Sequence, residues 1–252
     1  MEKSVDWLET KQRATKEEIY GDCDDACSVN PMYYFTDDTA IEIQKDKIIY
    51  YKLINPFSIR VPYKKWNMLI HRNDGPAKEY INGDKSWYQN NKLHREDGPA
   101  RIKDQTESWY ENDKLHRDGD KPAVIIHYDT PTRPKGKEWW VKGVPYRESG
   151  PAKEYVNGGY EYYKDGKLHR EDGPARYINK DEESWYINGK FHRTDGPACI
   201  APNTKRYYIM GKRHRIDGPA VIYGDGDKFW YVNDIKIKFG WLKYKLGLLP
   251  KK

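Results

Sequence analysis

One phrase recurs along this chain at a nearly fixed interval. Residues 93–100 read LHREDGPA, the same eight letters return at residues 168–175, and five near copies bring the total to seven. Measured between their closing alanines, the phrases stand 23, 23, 29, 23, 23 and 22 residues apart. A period of this length indicates a protein built from stacked repeats, each packed on its neighbours. The closing alanines are Ala77, Ala100, Ala123, Ala152, Ala175, Ala198 and Ala220.

A pair of aromatic residues precedes each phrase from the second onward, seven residues before the histidine or its replacement. A last pair, Trp230 and Tyr231, has no phrase after it. Between pair and phrase stands a turn signal such as Asn188-Gly189, a sequence that supplies the positive φ angles of tight hairpins. The pairs are Trp87 and Tyr88, Trp109 and Tyr110, Trp139 and Trp140, Tyr162 and Tyr163, Trp185 and Tyr186, Tyr207 and Tyr208, and Trp230 and Tyr231.

Short β-rich runs between these turns predict the fold. Residues 78–81 and 85–89 form two strands around the turn at residues 82–84. Hairpins at this spacing predict a mostly all-β protein, an elongated antiparallel β-hairpin repeat sheet or solenoid. The 29-residue spacing is explained by a loop inserted at residues 129–136, which contains two prolines.

Every residue of the phrase has a structural role in this prediction. We expect Asp to cap neighbouring amides, Gly to adopt a backbone angle closed to other residues, and Pro to stiffen the turn. The arginine is expected to bond the Asp two residues on, and the histidine to satisfy a carbonyl. The residues assigned to this turn motif are His94, Arg95, Asp97, Gly98 and Pro99; His169, Arg170, Asp172, Gly173 and Pro174; and His192, Arg193, Asp195, Gly196 and Pro197.

The recurrence of the phrase argues against catalysis. An active site is one asymmetric constellation, whereas six histidines here occupy equivalent places along a ladder. The fourth phrase replaces His by Tyr146 and Asp by Ser149 yet keeps Gly-Pro-Ala. We therefore predict no catalytic residue and no cofactor. We predict no metal site either, because Cys23 and Cys27 have no third ligand nearby.

Composition supports an ordered intracellular protein. The chain of 252 residues is 33% charged but contains 22 Tyr and 9 Trp, and disordered segments are poor in aromatics. The sequence contains neither an apolar run long enough to span a membrane nor the apolar core of a signal peptide. We therefore expect an intracellular location. Residues 1–58 contain 7 basic and 12 acidic groups (net −5), and the other 194 residues contain 38 basic and 27 acidic groups (net +11).

The repeat resembles the MORN repeat, in the variant Trp-Tyr-x-Asn-Gly-Lys-Leu-His-Arg-x-Asp-Gly-Pro-Ala found in predicted proteins of giant DNA viruses and large phages. Residues 185–198 match it most closely, and the resemblance covers residues 60–238. It departs from the usual MORN pattern, because His-Arg-x-Asp-Gly-Pro stands where His-Gly-x-Gly would. The resemblance implies an elongated, non-catalytic β-hairpin scaffold of viral origin, in a virion or in host cytoplasm.

The two ends flank the repeats. Residues 1–36 are predicted to form an acidic extension with one helix at 6–20. Residues 37–59 are predicted to form a degenerate capping hairpin, because Ala40 precedes Tyr50 by ten residues, the spacing that separates Ala77 from Trp87. Seven repeats occupy residues 60–238. Residues 239–252 form a basic cap, which we expect to cover the last sheet edge in preference to a membrane surface.

Three functions fit these features. In an extended strand the two aromatics of a pair point to opposite faces, so the pairs build two ladders, one of which could form a binding surface. The first hypothesis is a scaffold that binds a protein partner or its own copy. The second is nucleic-acid binding by the basic, aromatic repeats, opposed by their 27 acidic residues. The third is glycan binding, by analogy with Trp-Tyr hairpin modules of secreted proteins. No small-molecule substrate is expected.

Overall fold

A computed structural model describes residues 32–35, 39–44, 46–53, 68–129, 134–238 and Gly247. The chain contacts divide it into unit 1, residues 1–117 and 123–128, and unit 2, residues 118–122 and 129–252. These described residues contain strands and turns but no helix, and hence no helix that could cross a membrane. The helix predicted at 6–20 lies outside them, as does the cap predicted at 239–252 apart from Gly247.

Unit 1 contains thirteen strands in the described part. Nine of them pair antiparallel in one sheet: β1 with β2, β2 with β3, and β3 with both β4 and β5, after which the order continues through β6, β9, β10 and β13. The strands are β1 (Met32–Phe35), β2 (Thr39–Ile43), β3 (Lys47–Leu53), β4 (Met68–Ile70), β5 (Lys78–Tyr80), β6 (Lys85–Ser86), β7 (Tyr88–Gln89), β8 (Lys92–Leu93), β9 (Arg101–Lys103), β10 (Thr106–Ser108), β11 (Tyr110–Glu111), β12 (Lys114–Leu115) and β13 (Val124–Ile126).

Unit 2 repeats the same plan. Its main sheet runs in the order β14, β17, β18, β21, β22, β25, β26, β29 and β30, every pair antiparallel. The strands are β14 (Gly136–Glu138), β15 (Trp140–Val141), β16 (Val144–Pro145), β17 (Lys153–Tyr155), β18 (Tyr160–Glu161), β19 (Tyr163–Lys164), β20 (Lys167–Leu168), β21 (Arg176–Asn179), β22 (Glu182–Ser184), β23 (Tyr186–Ile187), β24 (Lys190–Phe191), β25 (Cys199–Ala201), β26 (Thr204–Arg206), β27 (Tyr208–Ile209), β28 (Lys212–Arg213), β29 (Val221–Tyr223), β30 (Lys228–Phe229), β31 (Tyr231–Val232) and β32 (Ile235–Lys236).

The prediction of an antiparallel hairpin-repeat sheet is confirmed, but a typical repeat contains four short strands where the sequence predicted two. The predicted strand at 85–89 is interrupted at Trp87, whose N–H donates to the carbonyl of Ala100 (2.8 Å) and whose own carbonyl accepts from His94 (3.2 Å). Strand β6 before Trp87 belongs to the main sheet. Strand β7 after it pairs with β8 in a small hairpin. The first aromatic of each pair therefore stands where the chain leaves the main sheet.

The turns of the small hairpins are of one type. Asn188 and Gly189, between β23 and β24, have φ angles of 50° and 76°. Two successive positive φ angles in a two-residue loop define the type I′ turn, whose twist suits a hairpin. The turn prediction from Asn-Gly and Asp-Gly is therefore confirmed. Residues other than Gly adopt the same angles at Asn90 and Asn91, at 51° and 68°.

Small hairpins of successive repeats are joined by backbone hydrogen bonds. Gly189 donates its N–H to the carbonyl of Leu168 (2.8 Å), and Gly211 donates to that of Phe191 (2.8 Å). The carbonyl of Tyr186 in turn accepts from Arg170 (3.0 Å). Within unit 2, these repeats are thus tied to one another through both their main-sheet strands and their small hairpins, as expected for a stacked array.

Alanine is the commonest buried hydrophobic residue in the described part, with 8 of 17, and a separate cluster of Ala40, Ile49, Tyr51 and Met68 is also buried. All seven closing alanines are 0–1% exposed, and each accepts a backbone hydrogen bond from the first aromatic of a pair, or from Tyr50 in the case of Ala77. A larger side chain would meet closely packed backbone here, because folded interiors have few voids. Tyr50, with Ala77 and His71, repeats the pattern of Trp87 with Ala100 and His94, so β2 and β3 fold as a first repeat.

Around the insertion predicted at 129–136, residues 130–133 lie outside the described part. Asp129 Oδ1 accepts from the N–H of Lys135 (2.7 Å). Strand β14 already begins at Gly136, the last residue of the predicted loop. A side chain at Gly136 would come within 2.3 Å of the carbonyl oxygen of Glu154, so this close strand crossing requires glycine.

Candidate functional site

The arginine of every phrase stacks on an aromatic ring. In each of seven places the guanidinium carbon lies 3.8–4.3 Å from the ring centroid. A cation over an aromatic face contributes about 0.5–2 kcal/mol, depending on how far it is removed from water. The pairs are Arg72 on Tyr50, Arg95 on Trp87, Arg117 on Trp109, Arg147 on Trp139, Arg170 on Tyr162, Arg193 on Trp185 and Arg215 on Tyr207.

The aspartate of the phrase fixes the arginine in place. Arg95 Nε donates to Asp97 Oδ1 at 2.7 Å, and the same contact occurs between Arg193 and Asp195 at 2.8 Å. This hydrogen bond lowers the pKa of both carboxyl groups below their ordinary value. The predicted bond between Arg and Asp is therefore present. In these contacts the Asp carboxylate binds the arginine side chain and not the amide of a neighbouring residue.

The glycine of the phrase packs against the other side of the guanidinium. A Cβ placed on Gly98 would lie 2.9 Å from Cζ of Arg95, and one on Gly196 would lie 3.0 Å from Cζ of Arg193. Neither glycine has a positive φ. The expectation of a special backbone angle is therefore wrong for these two glycines, whereas Gly119 of the third phrase does have a positive φ, of 65°. Glycine is needed because the guanidinium is held between the ring and the backbone.

The histidine connects one repeat to the next. Nδ1 of His192 accepts the N–H of Met210 (3.1 Å), and Nδ1 of His169 accepts the N–H of Asn188 (3.1 Å). Both donors begin the type I′ turn of the following repeat. An imidazole nitrogen that accepts from an amide must be unprotonated. Nδ1 of His169 also lies 2.9 Å from the side-chain carbonyl oxygen of Asn188, so contacts to a carbonyl oxygen and to a backbone amide are both present. Nδ1 of His94, in contrast, is buried without a hydrogen-bond partner among the described residues.

The fourth phrase, which lacks its aspartate, obtains one from the third. Asp120 Oδ1 accepts from Arg147 Nε (2.8 Å), and its Oδ2 accepts from the hydroxyl of Ser149 (2.8 Å). The hydrogen bond from Arg147 and then that from Ser149 lower the pKa of Asp120. The third phrase is one residue longer than the second, and Asp120 belongs to this longer turn. All of these residues belong to unit 2.

The second aromatic of each pair is half-buried and packed within the small hairpins. Tyr186 stacks on its cross-strand neighbour Phe191 (centroids 4.3 Å apart), and Phe191 stacks on Tyr208 of the next repeat (5.1 Å). Burial raises the pKa of Tyr186 and Tyr208. Tyr163 is held by a hydrogen bond from its hydroxyl to Glu161 (2.7 Å). Both aromatic ladders therefore have structural contacts.

The tips of the small hairpins present a different set of side chains to solvent. Lys167, Lys190 and Lys212 occupy equivalent positions after their turns and are exposed, and none forms an ion pair with another described residue. The stem of Lys167 covers Gly189 and that of Lys190 covers Gly211, at 3.5 and 3.6 Å from the point where a Cβ on each glycine would lie. The lysines therefore follow one another along the array.

In the fourth repeat a valine takes the place of this lysine. Val144 lies 3.1 Å from the Cβ position of Gly166, just as the lysine stems cover their glycines. Val144 pairs with Val141, and Tyr146 replaces the histidine; they are 42%, 37% and 46% exposed. We call Val144, Lys167, Lys190 and Lys212 the tip row. The sequence shows these lysines one position after each Asp-Gly, Asn-Gly or Met-Gly turn, but nothing in it distinguished them from other surface lysines.

Within the described residues, no three His, Cys, Asp or Glu side chains are grouped as metal ligands would be. Cys199 is a free, half-buried thiol, and Cys23 and Cys27 lie outside the described part. A scan of protein-family models gave no match to this chain. Searches of curated proteins and of solved structures gave none either.

Proposed function

We propose that the chain is a non-catalytic repeat scaffold that acts in protein–protein interaction or structural assembly. The observation that supports this is the use of the phrase: its Arg, Asp, Gly and His contact one another, the aromatic rings and the neighbouring repeat. In the phrase of residues 192–198, Arg193 is bound by Trp185 and Asp195, and His192 by Met210. The recurring Arg, Asp and His of this phrase thus serve the fold.

The partner we propose is a protein, including a second copy of this chain, inside a cell or virus particle. The tip row begins with Val144, which pairs with the exposed Val141, and exposed apolar surface of this kind favours a protein partner. None of the four tip-row side chains carries a ring on which a nucleic-acid base could stack.

Nucleic-acid binding is the second candidate, favoured by the tip-row lysines. Phosphate binding through lysines weakens steeply with salt, because each contact releases counterions. The half-buried second aromatics give less support to glycan binding, since each packs on a cross-strand neighbour.

The purified full chain tests both candidates. Sedimentation velocity over a hundredfold concentration range gives its mass, and fluorescence anisotropy with labelled DNA and RNA across a salt series gives its nucleic-acid affinity. A concentration-dependent discrete oligomer without salt-sensitive nucleic-acid binding supports the scaffold. A monomer that binds either nucleic acid with a steep salt dependence contradicts it and favours the second candidate.

A further inference from the structure

The tip row in unit 2 is a cationic ridge that begins with an apolar patch. At the patch, Val141, Val144 and Tyr146 are all more than a third exposed. The equivalent residues in the sixth repeat are Ile187, Lys190 and His192. These three positions are therefore all apolar or aromatic in the fourth repeat, whereas two of them are basic or polar in the sixth. The lysines then follow at one per repeat. Adjacent small hairpins lie two strands apart, which places successive members of the row about 10 Å from each other.

Lysines outnumber acids along this ridge. The turns and flanking residues from 164 to 167 and at 190 and 212 contain four lysines and one acid, Asp165, and the carboxylate of Asp234 interacts with Lys212. The tip-row lysines are exposed and have no described ion-pair partner, whereas arginines of the phrases are paired with Asp. An extended anionic chain that carried apolar residues at one end would match both the charge and the patch.

The chain itself contains such a segment. Residues 17–25 read EEIYGDCDD, with five acidic residues and no basic one, and Ile19 and Tyr20 adjoin the acids. An extended chain advances about 3.3 Å per residue, so five residues from Tyr20 reach Asp25 over about 17 Å. Two steps of the tip row cover about 20 Å. When Tyr20 contacts Val144, the carboxylates of Asp22, Asp24 and Asp25 therefore lie within reach of Lys167 and Lys190.

We propose that the tip row of unit 2 binds the acidic segment 17–25 of a second copy of this chain. Ile19 and Tyr20 contact the patch of Val141, Val144 and Tyr146, and the acids that follow pair with the lysines. The inference rests on the proposed scaffold function, of which it specifies the partner and the surface. Because each copy carries both the segment and the row, the contact makes the chain self-associating.

Charge-reversal variants of the full chain test this surface. The tip variant Lys167→Glu, Lys190→Glu, Lys212→Glu changes the charge by the same amount as a control variant, Lys180→Glu, Lys205→Glu, Lys228→Glu, whose lysines are also exposed in unit 2. Exposed ion pairs contribute about 0.2–1 kcal/mol each, so loss of the pairs at Lys167 and Lys190 weakens association roughly fivefold. Sedimentation velocity is expected to show this loss for the tip variant and not for the control.

A charge swap separates a direct contact from a loss of folding. Asp22→Lys, Asp24→Lys and Asp25→Lys in the tip variant are expected to restore association, which a misfolded protein would not recover. A circular-dichroism melting curve like that of the wild type identifies folded variants. A folded tip variant that associates as tightly as the wild type overturns the proposal, and so does failure of the swap in folded protein.

Crosslinking shows which copy supplies the segment. Equal amounts of ¹⁴N- and ¹⁵N-labelled full chain are mixed and treated with a carbodiimide, which joins carboxylates to lysines in direct contact. Mixed-isotope peptides that join residues 17–25 to Lys167, Lys190 or Lys212 support the proposal. Same-chain crosslinks alone overturn it.

Other outcomes separate this inference from the scaffold function. An oligomer that persists without tip-row crosslinks overturns the inference and leaves the scaffold standing. A chain that is monomeric at every concentration overturns the self-association on which the inference depends. Labelled DNA or RNA that binds the wild type and control but not the tip variant assigns the row to nucleic acid instead.

Discussion

Replacement of Gly218 by alanine tests whether the phrase glycine exists to make room for the arginine. Its Cβ would lie 2.9 Å from Cζ of Arg215, which is held on the other side by the Tyr207 ring at 4.0 Å. The guanidinium must therefore shift, which weakens or breaks its contact with the ring and with Asp217. Loss of the cation–π contact costs about 0.5–2 kcal/mol, and loss of the bond to Asp217 costs up to about 1 kcal/mol.

Gly150 provides the matched control. It occupies the same place in the fourth phrase, but a Cβ there would lie 3.6 Å from the nearest atom of Arg147, an ordinary contact. Neither glycine has a positive φ, so both substitutions gain about 0.4–1 kcal/mol from the lower entropy of the unfolded chain. We expect Gly218→Ala to destabilise the protein by about 1 kcal/mol and Gly150→Ala to stabilise it by about 0.5 kcal/mol.

Urea unfolding followed by tryptophan fluorescence measures the difference. The midpoint is expected to fall for Gly218→Ala and to rise slightly for Gly150→Ala, with the dependence on urea concentration unchanged. Equal midpoints for the two variants would refute the account of the glycine as a spacer for the guanidinium.

Three further predictions follow from the phrase contacts. Asp120→Asn is expected to lower the urea midpoint. The added change Ser149→Asp is expected to restore the midpoint, because Ser149 stands where other phrases carry Asp. A midpoint that is not restored would contradict the role of Asp120 as the carboxylate partner of Arg147. Arginine lowers the pKa of Asp97, Asp172 and Asp195, so their stabilising contribution is full above the unfolded value of about 3.9 and is lost as pH falls through the folded pKa. Loss of this contribution should therefore lower the urea midpoint as pH falls below about 4, and a midpoint that is higher at pH 3 than at pH 5 would reverse the sign. His192→Ala removes the acceptor of the Met210 N–H, so hydrogen exchange at Met210 should accelerate roughly fivefold, for a loss of about 1 kcal/mol. His192→Asn, which retains an acceptor, should slow it again, and equal exchange in both variants would exclude this bond.

The sequence was sufficient for features that depend on near neighbours. Asn188-Gly189 specifies a type I′ turn by its own backbone preferences, and the recurrence of the phrase specifies an array of hairpins. The bond between Arg193 and Asp195 was also predictable, because two residues separate its partners and their charges are opposite.

Contacts between distant residues could not be predicted in the same way. The chain leaves the main sheet at Trp87 because its N–H binds the carbonyl of Ala100 while its carbonyl accepts from His94. The periodicity of the sequence does not reveal these two partners. Gly218 looks like a turn glycine in the sequence, but its neighbour is the guanidinium of Arg215. The tip row arises because the turns stack in register, which aligns Lys167, Lys190 and Lys212 although each is 22 or 23 residues from the next.

Asp120 of the third phrase supplies the carboxylate that binds Arg147 of the fourth phrase. The fourth phrase therefore depends on the third. The phrases ending at Ala175, Ala198 and Ala220 each contain their own Arg–Asp pair, so removal of the preceding phrase would leave that pair complete. A deletion that removed Asp120 with the third phrase would leave Arg147 beside Ser149 without its carboxylate. Shortened or lengthened versions of the array are therefore best cut after Ala175, where no phrase depends on the one before it.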